Sequence, residues 1–241
     1  MGARRAVHLP LVVKCMMDIE KAKRKGCFVT FEGIEGSGKT TQIKMAGAFL
    51  ESQGIHTLIT EEPGGTALGK KLRNLLLNRS AFNISKESEL LLFLSDRAQH
   101  VREVILPALR VKQWVLCDRF SDATIAYQGF GRGLDRHFVK QVTNFAADAL
   151  VPDRTLLFDL PVEQGLKRAL QRASKVKNAH AEDRFERETL QFHEKVRAGY
   201  LALSNEEPQR IRVIDGRPVK TDVCREVSLC LVELIRSWKH D

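Results

Sequence analysis

The sequence predicts an α/β fold: a parallel β-sheet with helices on both faces, built around a phosphate-binding loop. Three observations carry this. Apolar strand-like segments recur at 27–32, 56–61, 114–118, 155–160 and 210–214, with helical patterns between them. Strands that alternate with helices pair in parallel, and the helices cover both faces. The stretch Gly33-Ile34-Glu35-Gly36-Ser37-Gly38-Lys39-Thr40 fits G-x-x-x-x-G-K-[ST]. The other polar motifs fall at predicted strand ends or in neighbouring helices, where such sheets bind ligands.

The first strand, Cys27-Phe28-Val29-Thr30-Phe31, is short and apolar. After the glycine loop, Ile43, Ala46, Gly47, Phe49 and Leu50 recur at helical spacing over 40–53. In this setting the glycines let backbone N–H groups turn onto phosphate oxygens, and the helix N-terminus adds partial positive charge. Residues Gly33 to Thr40 are thus expected to wrap a nucleoside triphosphate. Lys39 would reach the β- and γ-phosphates, and the Thr40 hydroxyl would hold Mg²⁺. A plain glycine turn is the alternative.

The second strand ends in Glu61-Glu62-Pro63-Gly64-Gly65-Thr66, a tight turn, before a helix at 67–77. A helix at 86–107 carries Phe93 and Arg97 four apart, on one face. Core packing is the default for a Phe within Leu90 to Leu94; the alternative is a ring under a base beside a cation. The third strand ends in Asp118-Arg119-Phe120. Asp118 is a candidate for the Mg²⁺ shell and Arg119 for a phosphate fork, against an ordinary ion pair at the strand edge. In Thr124 to Gly133, the Gln128 amide can read a base edge and Tyr127 can wall a planar ligand. Packing and a glycine loop explain that stretch equally well.

Helices follow at 136–149, 161–175, 186–203 and 221–238. Pro161 marks a first turn. Thr221 reads as an N-cap, ahead of Val223, Val227, Leu231, Leu234 and Ile235 on one face. From Lys167 to Arg187 there are seven basic and three acidic residues, read as a solvated face or as a mobile lid that closes over phosphates.

At 241 residues, one domain is the default. No apolar run approaches the roughly 20 residues of a membrane span. Five cysteines without metal-ligand spacing fit a reducing, cytoplasmic setting, with Cys27 and Cys117 buried. Residues 1–26 hold seven basic residues against two acidic, more than half of the net charge of +9. They read as a flexible basic extension, by an upstream start or as a faint targeting peptide, ahead of a domain at 27–241. The remaining body is only mildly basic, which suits small polyanions and not nucleic acid.

Together, the loop with Phe31-Glu32 before it and Thr41 after it, Glu62 to Thr66, Asp118-Arg119 and Ala126-Tyr127-Gln128-Gly129 resemble the thymidylate kinase family in spacing and order over roughly 27–238. The resemblance implies a P-loop kinase with a five-stranded parallel sheet, helices on both faces and a lid at about 168–187. It implies transfer of the γ-phosphate of ATP to dTMP with Mg²⁺, in a homodimer. It also implies that Phe93 stacks on thymine, that Arg97 and Gln128 bond the base with Thr124 nearby, and that Arg73 and Arg119 hold the dTMP phosphate. Glu35 would contact the sugar 3′-hydroxyl. Arg184 matches the lid arginine of bacterial members and would be catalytic with Lys39 and Arg119, while Arg172 is a second lid candidate, near ATP. Two positions depart from the pattern. Glu61 stands where many relatives have Arg, leaving Glu62 to orient Arg119, and Phe120 stands where Tyr or His is usual. A kinase for a free nucleoside, with Glu35 as base, and a nucleotide-dependent switch remain alternatives.

Overall fold

A computed structural model describes residues 26–77, 83–175 and 184–240. The basic extension, apart from Gly26, and the middle of the expected lid lie outside them. Five parallel strands form one sheet: β1 (Phe28–Glu32), β2 (Thr57–Glu61), β3 (Trp114–Asp118), β4 (Arg154–Asp159) and β5 (Ile211–Asp215). Their order is β2-β3-β1-β4-β5, with Phe28 beside Val115 and Val29 beside Arg154. The chain reverses direction across the sheet at β1, so the loops after β1, β3 and β4 meet at the carboxyl edge.

The central strands are apolar because both faces are covered. Val29, Phe31, Leu116, Leu156 and Phe158 pack on α1 (Lys39–Ser52), through Ile43 and Leu50, and on the last helix, Lys220–His240, through Val227 and Leu231. On the other face Phe28, Val115 and Cys117 meet Val101, Ile105 and Leu109. Each such side chain contributes about 1.5–3 kcal/mol by leaving water. Ala67–Leu77 forms α2 and Lys86–His100 forms α3, capped by the Ser85 hydroxyl accepting from Ser88 N. Arg136–Ala146 is α6, Val162–Lys175 is α7 and Leu190–Glu206 is α8, with the short α4 and α5 introduced below.

Several expected boundaries move. The helix begun at Lys86 runs on to Arg110: a π-helical turn at Val101–Ile105 precedes a short α4 (Leu106–Arg110). The widened turn sits just before Pro107, whose ring and missing N–H an ordinary helical turn does not accommodate. The stretch after Phe120, open between packing and a glycine loop, is helical throughout: α5 (Ser121–Thr124) passes into a π-helix, Ile125–Gly131. The last helix begins at Lys220, and Val219 O accepts from Asp222 N and Val223 N, so Thr221 is not its cap. Arg184–Arg187 is a separate 3₁₀ turn, and α8 starts at Leu190 under the Thr189 hydroxyl.

Candidate active site

The loop between β1 and α1 turns through left-handed backbone at Gly33, Gly36 and Gly38, with φ of 136°, 70° and 99°. At Gly36 a Cβ would also lie 2.0 Å from Gly165 O of α7. No other residue fits there, so α7 clasps the loop from outside. Lys39 Nζ donates to Gly33 O and Ile34 O, both at 2.8 Å. Burial, then Arg119, lowers its pKa to about 8. Thr40 Oγ1 donates to Asp118 Oδ2 at 3.1 Å, which joins the start of α1 to the end of β3.

Beside the loop is a cavity of about 520 Å³, partly open to solvent, lined by Glu35, Arg73, Phe93, Arg97, Arg119, Thr124, Tyr127, Gln128 and Phe185 among others. All seven residues expected around an acceptor nucleotide face this one space, although they come from five different segments. Phe93 is partly buried and stands 6.1 Å, centroid to centroid, from Phe185.

Three carboxylates organise the walls. Glu35 Oε1 accepts from Arg119 Nη2 (2.9 Å) and from the Tyr127 hydroxyl (2.6 Å). His193 Nδ1 lies 3.4 Å from Glu35 Oε2. Burial opposes the charge of Glu35, but Arg119, then His193 and Lys39, outweigh it and hold the carboxyl well below the usual range. Glu62 accepts from Arg97 Nε (2.9 Å) and pairs with His100 Nδ1 (2.9 Å). Arg97, 2% exposed, also donates to Thr124 Oγ1 and Phe120 O. Glu89 accepts from Gln128 Nε2, from Arg132 through both carboxylate oxygens, and from Arg184 Nη2 at 2.5 Å.

These pairings correct some expectations. Glu62 orients Arg97, not Arg119, whose partner is Glu35. Glu61 is the partner of Arg73, at 3.1 Å, so the departure there replaces a lost charge with an ion pair at the cavity mouth. Phe120 is fully buried, with the Arg97 guanidinium 5.1 Å over its ring and its backbone N donating to Glu32 Oε1. Arg184 sits on Glu89 and Leu76 O, with its guanidinium 4.8 Å over the ring of Phe185, which lines the cavity. Arg172 is exposed on α7.

Sequence reasoning passed over Glu89, Arg132, Phe185 and His193. For Glu89 a signal existed: positions 89, 93 and 97 continue one helical row, and the reading stopped one turn short. His193, in the interior of α8, carries no such sign.

The thymidylate kinase family profile matches residues 31–227. A thymidylate kinase of Syntrophus aciditrophicus is 54% identical over 206 residues, covering 84% of this chain and 94% of that one. One of Carboxydothermus hydrogenoformans is 50% identical over 203 residues, covering 84% and 95%. The crystal structure of thymidylate kinase from Ehrlichia chaffeensis superposes with a TM-score of 0.67 at 35% identity, covering 86% of this chain and 98% of that one. With the phosphate loop, the cavity beside it and this likeness along almost its whole folded length, the chain belongs to the thymidylate kinase family.

Proposed function

We propose that this protein transfers the γ-phosphate of ATP to dTMP, giving dTDP and ADP, and that the cavity residues hold the acceptor. One observation supports this most: Phe93, Arg97, Thr124 and Gln128 line the same cavity as Arg73, Arg119 and Glu35, and Glu35 belongs to the loop that leads into Lys39. A planar base, a sugar and a phosphate match that set of side chains. Phe93 stacks on the base, Arg97 and Gln128 bond its edge, Glu35 takes the 3′-hydroxyl, and Arg73 and Arg119 hold the phosphate. The loop from Gly33 to Thr40 cradles ATP, and Arg172 of α7 reaches its phosphates.

The acceptor is a phosphate monoester, already anionic at neutral pH, so no general base is assigned. Glu35 is a poor one, since its neighbours favour the charged, proton-free form. This counts against a free nucleoside as acceptor. Catalysis is positioning and charge stabilisation by Lys39, Arg119 and Arg184. Arg184 has to leave Glu89 to reach the transferring group. The Thr40 hydroxyl and the Asp118 carboxylate, 3.1 Å apart, suit Mg²⁺, which prefers few protein oxygens plus phosphate and water. When bound, Mg²⁺ would supply charge neutralisation on the phosphates.

The protein acts as a homodimer in this reading, through α3 and α6. These helices pack together and leave Leu91, Phe138 and Phe145 at 63%, 54% and 86% exposure, an apolar face of the kind that a second subunit covers. Among the described residues no helix is long and apolar enough to cross a membrane. Among the described residues, no disulfide joins Cys27, Cys117, Cys224 or Cys230, in keeping with a cytoplasmic enzyme.

The test is ADP release from Mg-ATP with dTMP, dUMP, CMP, GMP, AMP or thymidine, one acceptor at a time. Strong stimulation by dTMP, weaker by dUMP, is expected. Stimulation by another acceptor would overturn the base pocket, and none at all would favour the switch.

A further inference from the structure

We propose that Glu89 fixes the amide of Gln128 so that its carbonyl oxygen meets the base, which makes Glu89 the positioning residue that separates thymine from cytosine. The inference rests on the acceptor site proposed above. A glutamine amide can present either a donor or an acceptor to a ligand, and the two differ only by a rotation of the end group. Gln128, fully buried at the cavity wall, has Nε2 2.8 Å from Glu89 Oε1. A carboxylate paired with two guanidiniums offers acceptors only. Rotating the amide would bring two oxygens face to face in a buried site, with both partners losing a hydrogen bond.

Glu89 cannot move aside to permit it. It is 1% exposed, and Arg132 grips it at 3.0 Å through Nε and Nη2. Arg132 is itself fixed by Glu188 at 2.7 Å and by the Phe192 ring at 4.6 Å. Gln128 is therefore left with its oxygen for the cavity. Thymine and uracil offer N3–H to that oxygen. Cytosine turns a lone pair on N3 toward it, and two acceptors oppose each other. Arg97 discriminates in the same direction, since its N–H groups suit the O4 of thymine and not the N4–H₂ of cytosine. Arg184 sits on the same carboxylate, so base readout and the lid arginine share one anchor.

Calorimetric titration of the full chain with dTMP, dUMP and dCMP tests this, using wild type, Glu89→Gln and Gln128→Leu. A glutamine at 89 can donate or accept, so the Gln128 amide becomes free to rotate. The preference for dTMP over dCMP should then fall at least about tenfold, while dTMP over dUMP stays as it was, because both carry N3–H. Equal loss for all three ligands in Glu89→Gln would make Glu89 merely structural and overturn the proposal. If Gln128→Leu leaves the dTMP-to-dCMP ratio unchanged, base reading by Gln128 itself fails. If Gln128→Leu lowers the ratio and Glu89→Gln does not, only the role of Glu89 fails. Should Glu89→Gln not fold, Glu89→Asp keeps the negative charge among the arginines but draws the carboxylate back by one methylene, which lengthens or breaks its bond to Gln128 Nε2. The ratio should still fall there, and an unchanged ratio would overturn the proposal.

Discussion

Glu32, one residue before the phosphate loop, accepts from Phe120 N and from the Tyr200 hydroxyl and is wholly buried. Burial, then the charge of Asp122, raises its pKa from 4.5 to about 8. Between those values the folded chain holds a proton that the unfolded chain has lost, so Glu32 contributes stability at low pH that is lost as pH rises through 8. The slope is at most about 1.4 kcal/mol per pH unit. Glu32→Gln imitates the protonated form, and its melting temperature should gain on wild type from pH 5 to pH 8. Parallel melting curves across that range would show that Glu32 is charged in the fold. In the cavity, Phe93→Ala should weaken dTMP binding by roughly 1–3 kcal/mol if the ring stacks on the base. Intact dTMP affinity in a stable variant would return Phe93 to the core alone.

The π-helix Ile125–Gly131 is the element that carries Tyr127 and Gln128 to the cavity, and α8 is what holds it. The contact is close on both sides. A Cβ on Gly199 would lie 2.7 Å from the Phe130 ring, and one on Gly131 would lie 2.7 Å from the Phe192 ring. Gly199→Ala should therefore cost about 1–3 kcal/mol in urea unfolding and raise the KM for dTMP more than that for ATP. Equal changes in the two constants would mean that the segment does not carry the acceptor side. This element was illegible beforehand: Gly129, Gly131 and Gly133 argue for a loop by local preference, and only packing against α8 overrides that. The strands were legible because a sheet covered on both faces needs continuous apolar runs, as in Phe28 to Phe31 and Trp114 to Cys117. The phosphate loop was legible because its contacts are local. The carboxylate pairings were not, since Tyr127 meets Glu35 and Arg184 meets Glu89 across 92 and 95 residues, and no spacing encodes such meetings.

At the scale of the whole molecule, the stripe of α6 stays exposed among the described residues. Phe138 and Phe145 are two turns apart on one face, and Val142 between them is partly buried. Phe145→Glu would place a charge at the centre of any interface formed there, and desolvating it without a partner is costly. Light scattering should give a dimer mass for wild type at micromolar concentration and a monomer mass for the variant. A monomeric wild type would remove the dimer, and a dimeric variant would move the interface to another face.

Glu35 belongs to two places at once: its backbone is part of the glycine loop, and its side chain is tied to Arg119 and Tyr127 in the cavity wall. Whatever stiffens the loop also stiffens that wall. The two substrates should therefore assist each other's entry, each lowering the entropy left for the other to remove. Such coupling is reciprocal by thermodynamic necessity. The factor by which a non-hydrolysable ATP analogue tightens dTMP must equal the factor by which dTMP tightens the analogue. It should shrink in Glu35→Gln, and a factor of one in wild type would show that the two halves of the site bind independently.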